Sequence, residues 1–574
     1  MHRFNLYTRR AFLDQSFKLT LGVALSTLVN IPFVMKRALA EGNIGLPGPD
    51  GKVKKLLFIF LRGANDALNS VIPIEDPAYA LSTTRPTTGI GIAKDTENAI
   101  NYADTGPCLD LTQWTLNPNT RLLQPRTATD PTYSYDRAID LGTGFAALHP
   151  SLKFLAPVYN AGDLVFVHRV GYPNQSRSHF DSQNYWESGA PNNNLVRDGI
   201  FYRTILESGL ANKSPLTAVS VQSALPLILR GSAAAMTNLA DPARYDLLGV
   251  PNTTAGNLKA DQFFATGNLL PTPDRKNREL LALQFQNLSD TLQIFSQIPF
   301  SAEFYDNENT DQDAPYNLFP TSAAQNGGAP FHGGDPAKYV VDNSTSAYTF
   351  FKNLKAAALI LNKTDAIIAG TEFGGFDTHS SQGGVTGAHA NLLRRLAWAI
   401  YALRKYFLTQ ADRCTWDNLV IVTLSEFGRT TVQNSSGGTD HAEGGLMLIA
   451  GGGVRGYGKN GSTTGLFGCS PSEFSGANAD LNWVPGPRTT NPATCGTMWA
   501  ANVNVTQGYL KRQTDYRSVL GEIIRKHLGA TQSQLNRIIP GYNPSGDKPE
   551  PELLSGGLSS VDGTKIRGEV GFLI

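Results

Sequence analysis

Four times in this chain a continuous apolar run stops abruptly at small or charged residues, and this recurrence constrains the fold more than any other feature. Leu56-Leu57-Phe58-Ile59-Phe60-Leu61 breaks into Arg62-Gly63-Ala64-Asn65-Asp66. The run from Leu164 to Val170 leads to Ser176-Arg177-Ser178-His179, and Ala366-Ile367-Ile368-Ala369 leads to Asp377-Thr378-His379. Leu419-Val420-Ile421-Val422 ends in Ser425-Glu426-Phe427-Gly428-Arg429-Thr430. A fifth run, Leu446 to Ala450, follows a polar loop carrying Asn434, Thr439, Asp440, His441 and Glu443. Runs without polar alternation mark strands buried on both faces. Helical spacing between them, at Ser346–Leu361 and His389–Leu408, predicts an α/β fold: a doubly wound, mainly parallel sheet flanked by helices, with long loop insertions.

The remaining segments fit this frame. Phe145 to Tyr159 has helical spacing around Pro150, and Asp515 to Leu528 reads as a helix stopped by Gly529. Ala218–Val221 reads as a strand, Leu225–Leu229 as an edge segment, and Leu280–Ile298 as a packed helix. Residues 74–140 are rich in Thr, Pro and Asp, with little periodicity; they read as a long excursion near the site, a candidate lid. The segment from Asp306 to Asp335 reads as a loop, with His332 on the surface. Residues 465–510 read as a surface insertion, and 546–574 as an irregular tail.

In an open parallel sheet the polar segments that follow the strands converge on one edge, where ligands bind. They bring together Asp66; Ser176, Ser178 and His179; Asp377 and His379; and Glu426, Asp440 and His441. Carboxylates mixed with imidazoles suit zinc, manganese or iron, whereas an all-carboxylate set suits magnesium or calcium. Each residue has a bland reading beside the sharp one. Asp66 is also a good helix N-cap, and so is a serine at a strand-to-helix junction. A serine there is equally a candidate nucleophile, since the helix N-terminus favours an anion. His179 is a candidate general acid or base, or a structural helix histidine. Arg429 either locks Glu426 through a bidentate pair or, like Arg177, holds an anion.

The N-terminus reads as an address. Thr8-Arg9-Arg10-Ala11-Phe12-Leu13, a mildly apolar run from Leu19 to Val34, and Ala38-Leu39-Ala40 resemble a twin-arginine export signal cleaved after Ala40. That implies the twin-arginine translocase as a partner, export of the folded chain to the periplasm or beyond, and no stable membrane span after cleavage. A net charge of +1 gives no electrostatic reason to expect nucleic acid. None of the four cysteines forms a CxxC pair, which argues against a zinc–thiolate site. Cys469 with Cys495, and Cys108 with Cys414, are candidate disulfides, their connectivity open.

The motifs FIFLRGANDALN, SRSHFDSQ, GGFDTH, SEFGRT and GTDH, in that order, resemble the DUF1501 family of exported bacterial proteins. That family is placed by similarity in the alkaline phosphatase and sulfatase superfamily. The resemblance spans roughly residues 50 to 540, so 41–545 would be one alkaline phosphatase-like domain. It implies metal ligands at Asp66, Asp377, His379, Glu426 and His441 with Asp440 beside it, and a nucleophile at Ser178 or Ser176. Where the superfamily has an Asp-His pair this chain has Glu426-Phe427, so one expected imidazole is missing. The implied activity is hydrolysis of phosphate or sulfate esters with one or two divalent ions (zinc, manganese, iron or calcium). The alternative is a catalytically inactive binding or assembly protein on the same fold, acting at surface polysaccharide or another protein.

Overall fold

The computed structural model describes residues 44–47, 51–73, 138–241, 291–327, 339–468, 510–539 and 569–574, apart from short gaps. It also describes Tyr79, Arg85, residues 87–92 and three short strands between 102 and 125. Nine strands form the central sheet: β1 (Lys55–Leu61), β2 (Leu164–Gly171), β3 (Ala218–Val221), β4 (Thr237–Leu239), β5 (Ile368–Phe373), β6 (Leu419–Ser425), β7 (Gly445–Ala450), β8 (Leu466–Phe467) and β9 (Thr514–Asp515). Their order is β4-β3-β5-β1-β6-β7-β2-β8, with β9 also paired to β2. All pairings are parallel except those of β7, which runs antiparallel to both β6 and β2.

Successive side chains of a strand point to opposite faces, and both faces of this sheet are covered. Leu57, Ile59 and Leu61 pack in one apolar cluster with α3 (Thr345–Lys363) and α4 (Ala388–Thr409). Leu56, Phe58 and Phe60 pack in the other with α1 (His179–Ser188), α2 (Ile200–Ser208), α5 (Tyr516–Glu522) and α6 (Gln532–Ile538). Burying each Leu, Ile or Phe contributes roughly 1.5–3 kcal/mol. An unbroken run is therefore what a central strand needs, and every residue of β1, β2, β6 and β7 is buried.

Register then sets the site. Leu61, the last residue of β1, lies opposite Phe373 of β5 and Ser425 of β6. The segments beginning at Arg62, Gly374 and Glu426 therefore leave the sheet flush with one another. Antiparallel β7 starts at this same edge, where Gly445 pairs with Val170 near the end of β2.

Several expectations are corrected by packing. The Phe145–Tyr159 stretch is broken by its proline into a short strand (Ala147–Leu148), a 3-10 segment (Pro150–Leu155) and one helical turn (Ala156–Asn160). Within the expected edge segment Leu225–Leu229, Leu227–Leu229 is a 3-10 turn. The supposed loop after Asp306 opens as a hairpin, Tyr305–Asp311 with Ala314–Asn317. The chain end also docks: Phe572 is fully buried, and Glu522 accepts the N–H groups of Gly571 and Leu573. Cys414 is a free, buried thiol, so no disulfide joins it to Cys108. The export signal, residues 469–506, most of 74–140 and of Leu280–Ile298, His332, and Cys108, Cys469 and Cys495 lie outside the described residues. Among those described, no helix is long and apolar enough to cross a membrane.

Candidate metal centre

Two glycines let the strand-end loops come close enough to make a site. Gly63 has φ +108°, and a Cβ there would stand 2.4 Å from the backbone nitrogen of Asp377. A Cβ on Gly428 would stand 2.1 Å from the carbonyl oxygen of Glu443. Arg429, 2% exposed, fills the space between these loops. Its guanidinium donates to the carbonyls of Ala64 (3.0 Å), Thr439 (3.0 Å), Phe376 (3.1 Å) and Gly63, and to Asp377 Oδ1. Burial would raise the Asp377 carboxyl, but the Arg429 hydrogen bond and charge outweigh it and hold the pKa at about 2.

Glu426 lies beneath, fully buried, on a bed of donors. The consecutive N–H groups of Gly63 and Ala64, the latter at φ 67°, each reach it at 2.9 Å, and Gln183 Nε2 at 2.7 Å. Adjacent N–H groups turned the same way make an anion-binding concavity. Burial alone would raise this carboxyl; the His179 imidazole and the hydrogen bonds from Gly63 and Gln183 instead hold it below the usual range. His179 Nδ1 lies 3.7 Å above Glu426 Oε1, and Glu426 in turn raises the His179 pKa.

Three imidazoles and one carboxylate meet above this floor. His441 Nδ1 is 2.8 Å from the carbonyl oxygen of Arg177, a group that can only accept, so Nδ1 carries the proton and Nε2 presents its lone pair. His379 Nδ1 is likewise 2.8 Å from Asp440 Oδ1. The Nε2 atoms of His179 and His379 lie 3.1 Å and 2.9 Å from His441 Nε2. Asp377 joins them, its Oδ1 3.2 Å from His441 Nε2 and 3.1 Å from His379 Nε2, its Oδ2 3.4 Å from His179 Nε2. A single proton can bridge one of these nitrogen pairs, not both.

Convergent lone pairs with outward-facing N–H groups are the arrangement of metal-ligating histidines. Bonds of about 2.0–2.1 Å at tetrahedral angles place two ligand nitrogens about 3.3 Å apart, close to the separations found. The donor atoms of His179, Asp377 and His441 all lie within 4.8 Å of one another and could hold an ion. His379 touches two of the three from the open side but stands outside that mutual set.

The expected residues are thus sorted into different places. His179, expected as an acid or base, is one of the three convergent donors. Glu426, expected as a ligand, lies below His179 and outside that mutual set, and Asp440 is hydrogen-bonded to His379 Nδ1. Arg429 pairs with Asp377 rather than Glu426, and its burial keeps it from an incoming anion. Asp66 is not brought to the cluster. It is fully buried, paired with Arg85 at 2.8 and 3.1 Å, bonded by Gln382 at 2.7 Å, and caps Asn69. Burial would raise the Asp66 carboxyl, but Arg85 holds it low. Ser178 is the N-cap of α1, exposed, its Oγ accepting from Asp181 N; Ser176 Oγ accepts from Ser178 N. Phe427, in the place of the missing imidazole, is buried with ring centroids 4.9 Å from His179 and 4.7 Å from His441.

Sequence reasoning missed Arg85, Gln382 and Gln183, and placed Asn434 in the site loop without giving it a role. Gln183 was within reach, because an (i, i+4) step on a helix puts it beside His179. Asn434, which donates to Asp440 Oδ1 at 3.1 Å, and Arg85 carried no such signal. Because Glu426 lies directly below His179, Glu426→Gln is expected to weaken the binding of any ion at the candidate centre by about 10–100-fold while retaining the fold. A competition titration with a chromophoric chelator reads this directly, and unchanged affinity would remove Glu426 from the centre.

Residues 333–481 match the family described as "Protein of unknown function (DUF1501)". That segment holds Asp377, His379, Glu426, Arg429, Asp440 and His441. The chain matches no curated protein and no solved structure.

Proposed function

We propose that this chain is an exported, metal-dependent hydrolase of phosphate or sulfate esters on an alkaline phosphatase-like fold. The observation that carries the proposal is the convergence of imidazole lone pairs and the Asp377 carboxylate at the carboxyl edge of a parallel sheet, where open α/β folds bind their ligands. An imidazole-rich set favours zinc, manganese or iron over calcium. His179, Asp377 and His441 would hold the ion, with His379 beside them. A divalent ion there supplies Lewis-acid polarisation of an ester oxygen and a lowered pKa for water.

The chain's own groups do the rest. Asp440 and the Arg177 carbonyl keep a proton on Nδ1 of His379 and His441, so that their Nε2 atoms stay available, while the Glu426 carboxylate lies 3.7 Å below His179 Nδ1. Arg429 keeps Asp377 ionised and fixed. Ser178, exposed one residue before His179, presents a hydroxyl for attack on phosphorus or sulfur, with Ser176 behind it. Export through the twin-arginine pathway is supported by Arg9-Arg10 and the Ala38–Ala40 site.

One observation favours the second reading, an inactive binding or assembly protein. Among the described residues neither serine hydroxyl is hydrogen-bonded to a base, and an activated nucleophile needs one nearby. Elemental analysis of protein exported through its own signal, with an Asp377→Ala/His441→Ala variant beside it, tests the centre. Near-stoichiometric metal in wild type and none in the variant is expected; equal content in both would refute the site. Metal without turnover of any simple phosphate or sulfate ester would select the second reading.

A further inference from the structure

One side chain, Gln382, connects Asp66 to the segments that carry the residues of the candidate metal centre. It is fully buried, between β5 and α4, and its Nε2 donates to Asp66 Oδ2 at 2.7 Å. An ionised carboxylate can only accept, so this bond fixes which way the amide points. Gln382 Oε1 then accepts the hydroxyls of Thr378 and Thr439, both at 2.8 Å. Thr378 stands between Asp377 and His379 in the chain, and Thr439 directly precedes Asp440 and His441. One buried oxygen thus ties together the two segments that bring four polar groups to the centre. Asp66 is in turn held by Arg85, which is fully buried. The Arg85 guanidinium donates to both Asp66 oxygens, to Asn69 Oδ1 (2.7 Å), and to the carbonyls of Thr430 (2.7 Å) and Thr431 (3.0 Å). Close by, Ile90 accepts from Asn69 Nδ2 at 2.6 Å and donates to Gln433 Oε1 at 2.9 Å. A Cβ on Gly384 would stand 2.8 Å from the carbonyl oxygen of Gly89. Arg85, Gly89 and Ile90 therefore touch the loops after β1, β5 and β6 together.

We infer that Gln382 and Arg85 are positioning residues of the metal centre, and that docking of the Arg85 stretch sets the affinity for the ion. The inference rests on the metal reading above and adds the regulation of that site. Groups that hold metal ligands in place from outside are worth about 10–100-fold in affinity. Here the holding group is the Gln382 amide, and Asp66, clamped by Arg85, sets its direction. A break at Arg85, Asp66 or Gln382 frees the amide. The spacing between the Asp377–His379 and Asp440–His441 segments is then no longer enforced. The centre is complete only with the stretch around Arg85 in place, and drawing that stretch away releases the ion.

The test measures zinc affinity of the full-length protein by competition with a chelator, on samples shown to be folded by circular dichroism. Gln382→Met keeps the length of the side chain and removes its polar atoms; it is expected to weaken zinc binding at least about tenfold. Arg85→Ala should do the same, and millimolar guanidinium chloride, unlike sodium chloride, should restore the affinity by refilling the vacated space. Because both residues act through one amide, the double variant should bind zinc no more weakly than the worse single one, whereas independent effects would add. Wild-type affinity in folded Gln382→Met would overturn the inference. So would additive losses, or a loss of stability with zinc affinity intact. Should either variant not fold, Thr378→Val, which removes one hydroxyl, is expected to weaken zinc binding by a smaller factor, and unchanged affinity there would also overturn it. Wild type that takes up neither zinc, manganese nor iron would instead refute the metal reading itself.

Discussion

Arg429→Leu is expected to destabilise the protein by about 3–5 kcal/mol and, on the proposed metal reading, to leave it without bound metal. The side chain is buried, and it satisfies four carbonyl oxygens contributed by the loops after β1, β5 and β6 as well as the Asp377 carboxylate. Leucine fills much of the volume but supplies none of the donors. Each orphaned buried acceptor costs about 1–3 kcal/mol, part of which the loops can recover by relaxing toward water. That relaxation releases Asp377 from its place opposite His179 and His441. Arg429→Lys reaches fewer acceptors and should fall between wild type and leucine. Chemical denaturation with metal analysis on the same samples reads both effects. A leucine variant that loses stability but keeps full metal content would show that Asp377 does not depend on Arg429.

Acid is expected to unfold the protein steeply between about pH 6.5 and 4, by roughly 5 kcal/mol per pH unit near pH 5. Four histidines outside the candidate metal centre are buried as neutral imidazoles. Burial pushes His149 and His168 down to about 3, and His389 and His527 to about 4. Each has an acceptor suited to one ring N–H: Gly384 O, Ala67 O, Asn65 Oδ1 and Lys55 O respectively. In the unfolded chain these rings titrate near 6.5. Between that value and the folded ones the unfolded state binds more protons, so stability present above pH 6.5 is lost as pH falls. Asp66 and Glu426, both held below the usual carboxylate range, act in the same direction at lower pH. Urea midpoints measured in EDTA at pH 7, 6 and 5 test this apart from metal release. A midpoint that stays constant down to pH 5 would mean that these rings are protonated without penalty in the folded state.

Much of the site's location was legible in the sequence. Leu56–Leu61 and Leu419–Val422 read as central strands because each must fill both faces of a covered sheet, which leaves no room for polar alternation. The polar residues after them had to emerge at the carboxyl edge, so Asp377, His379, Glu426, Arg429, Asp440 and His441 were found as a set. Which of them meet was not legible. Spacing cannot show that His179 turns in while His379 approaches from the rim, since that depends on Glu426 below one ring and Asp440 beside the other. Nor could it show that Phe427 packs against both His179 and His441.

What the sequence by itself determined is the layered sheet and the edge at which its polar segments gather, because the apolar period of a strand or helix is written locally. Tertiary structure alone decided the role of each polar group. Asp66 became an ion-pair partner because Arg85 arrives from a stretch without periodicity. Arg429 became the clasp of Asp377 because Gly63 and Gly428 let three loops close around its guanidinium. Phe572 became core because the chain end returns to Glu522. Each outcome rests on buried charges and backbone groups finding partners far away in sequence, and a polar group's cost and role are set by the partner it reaches.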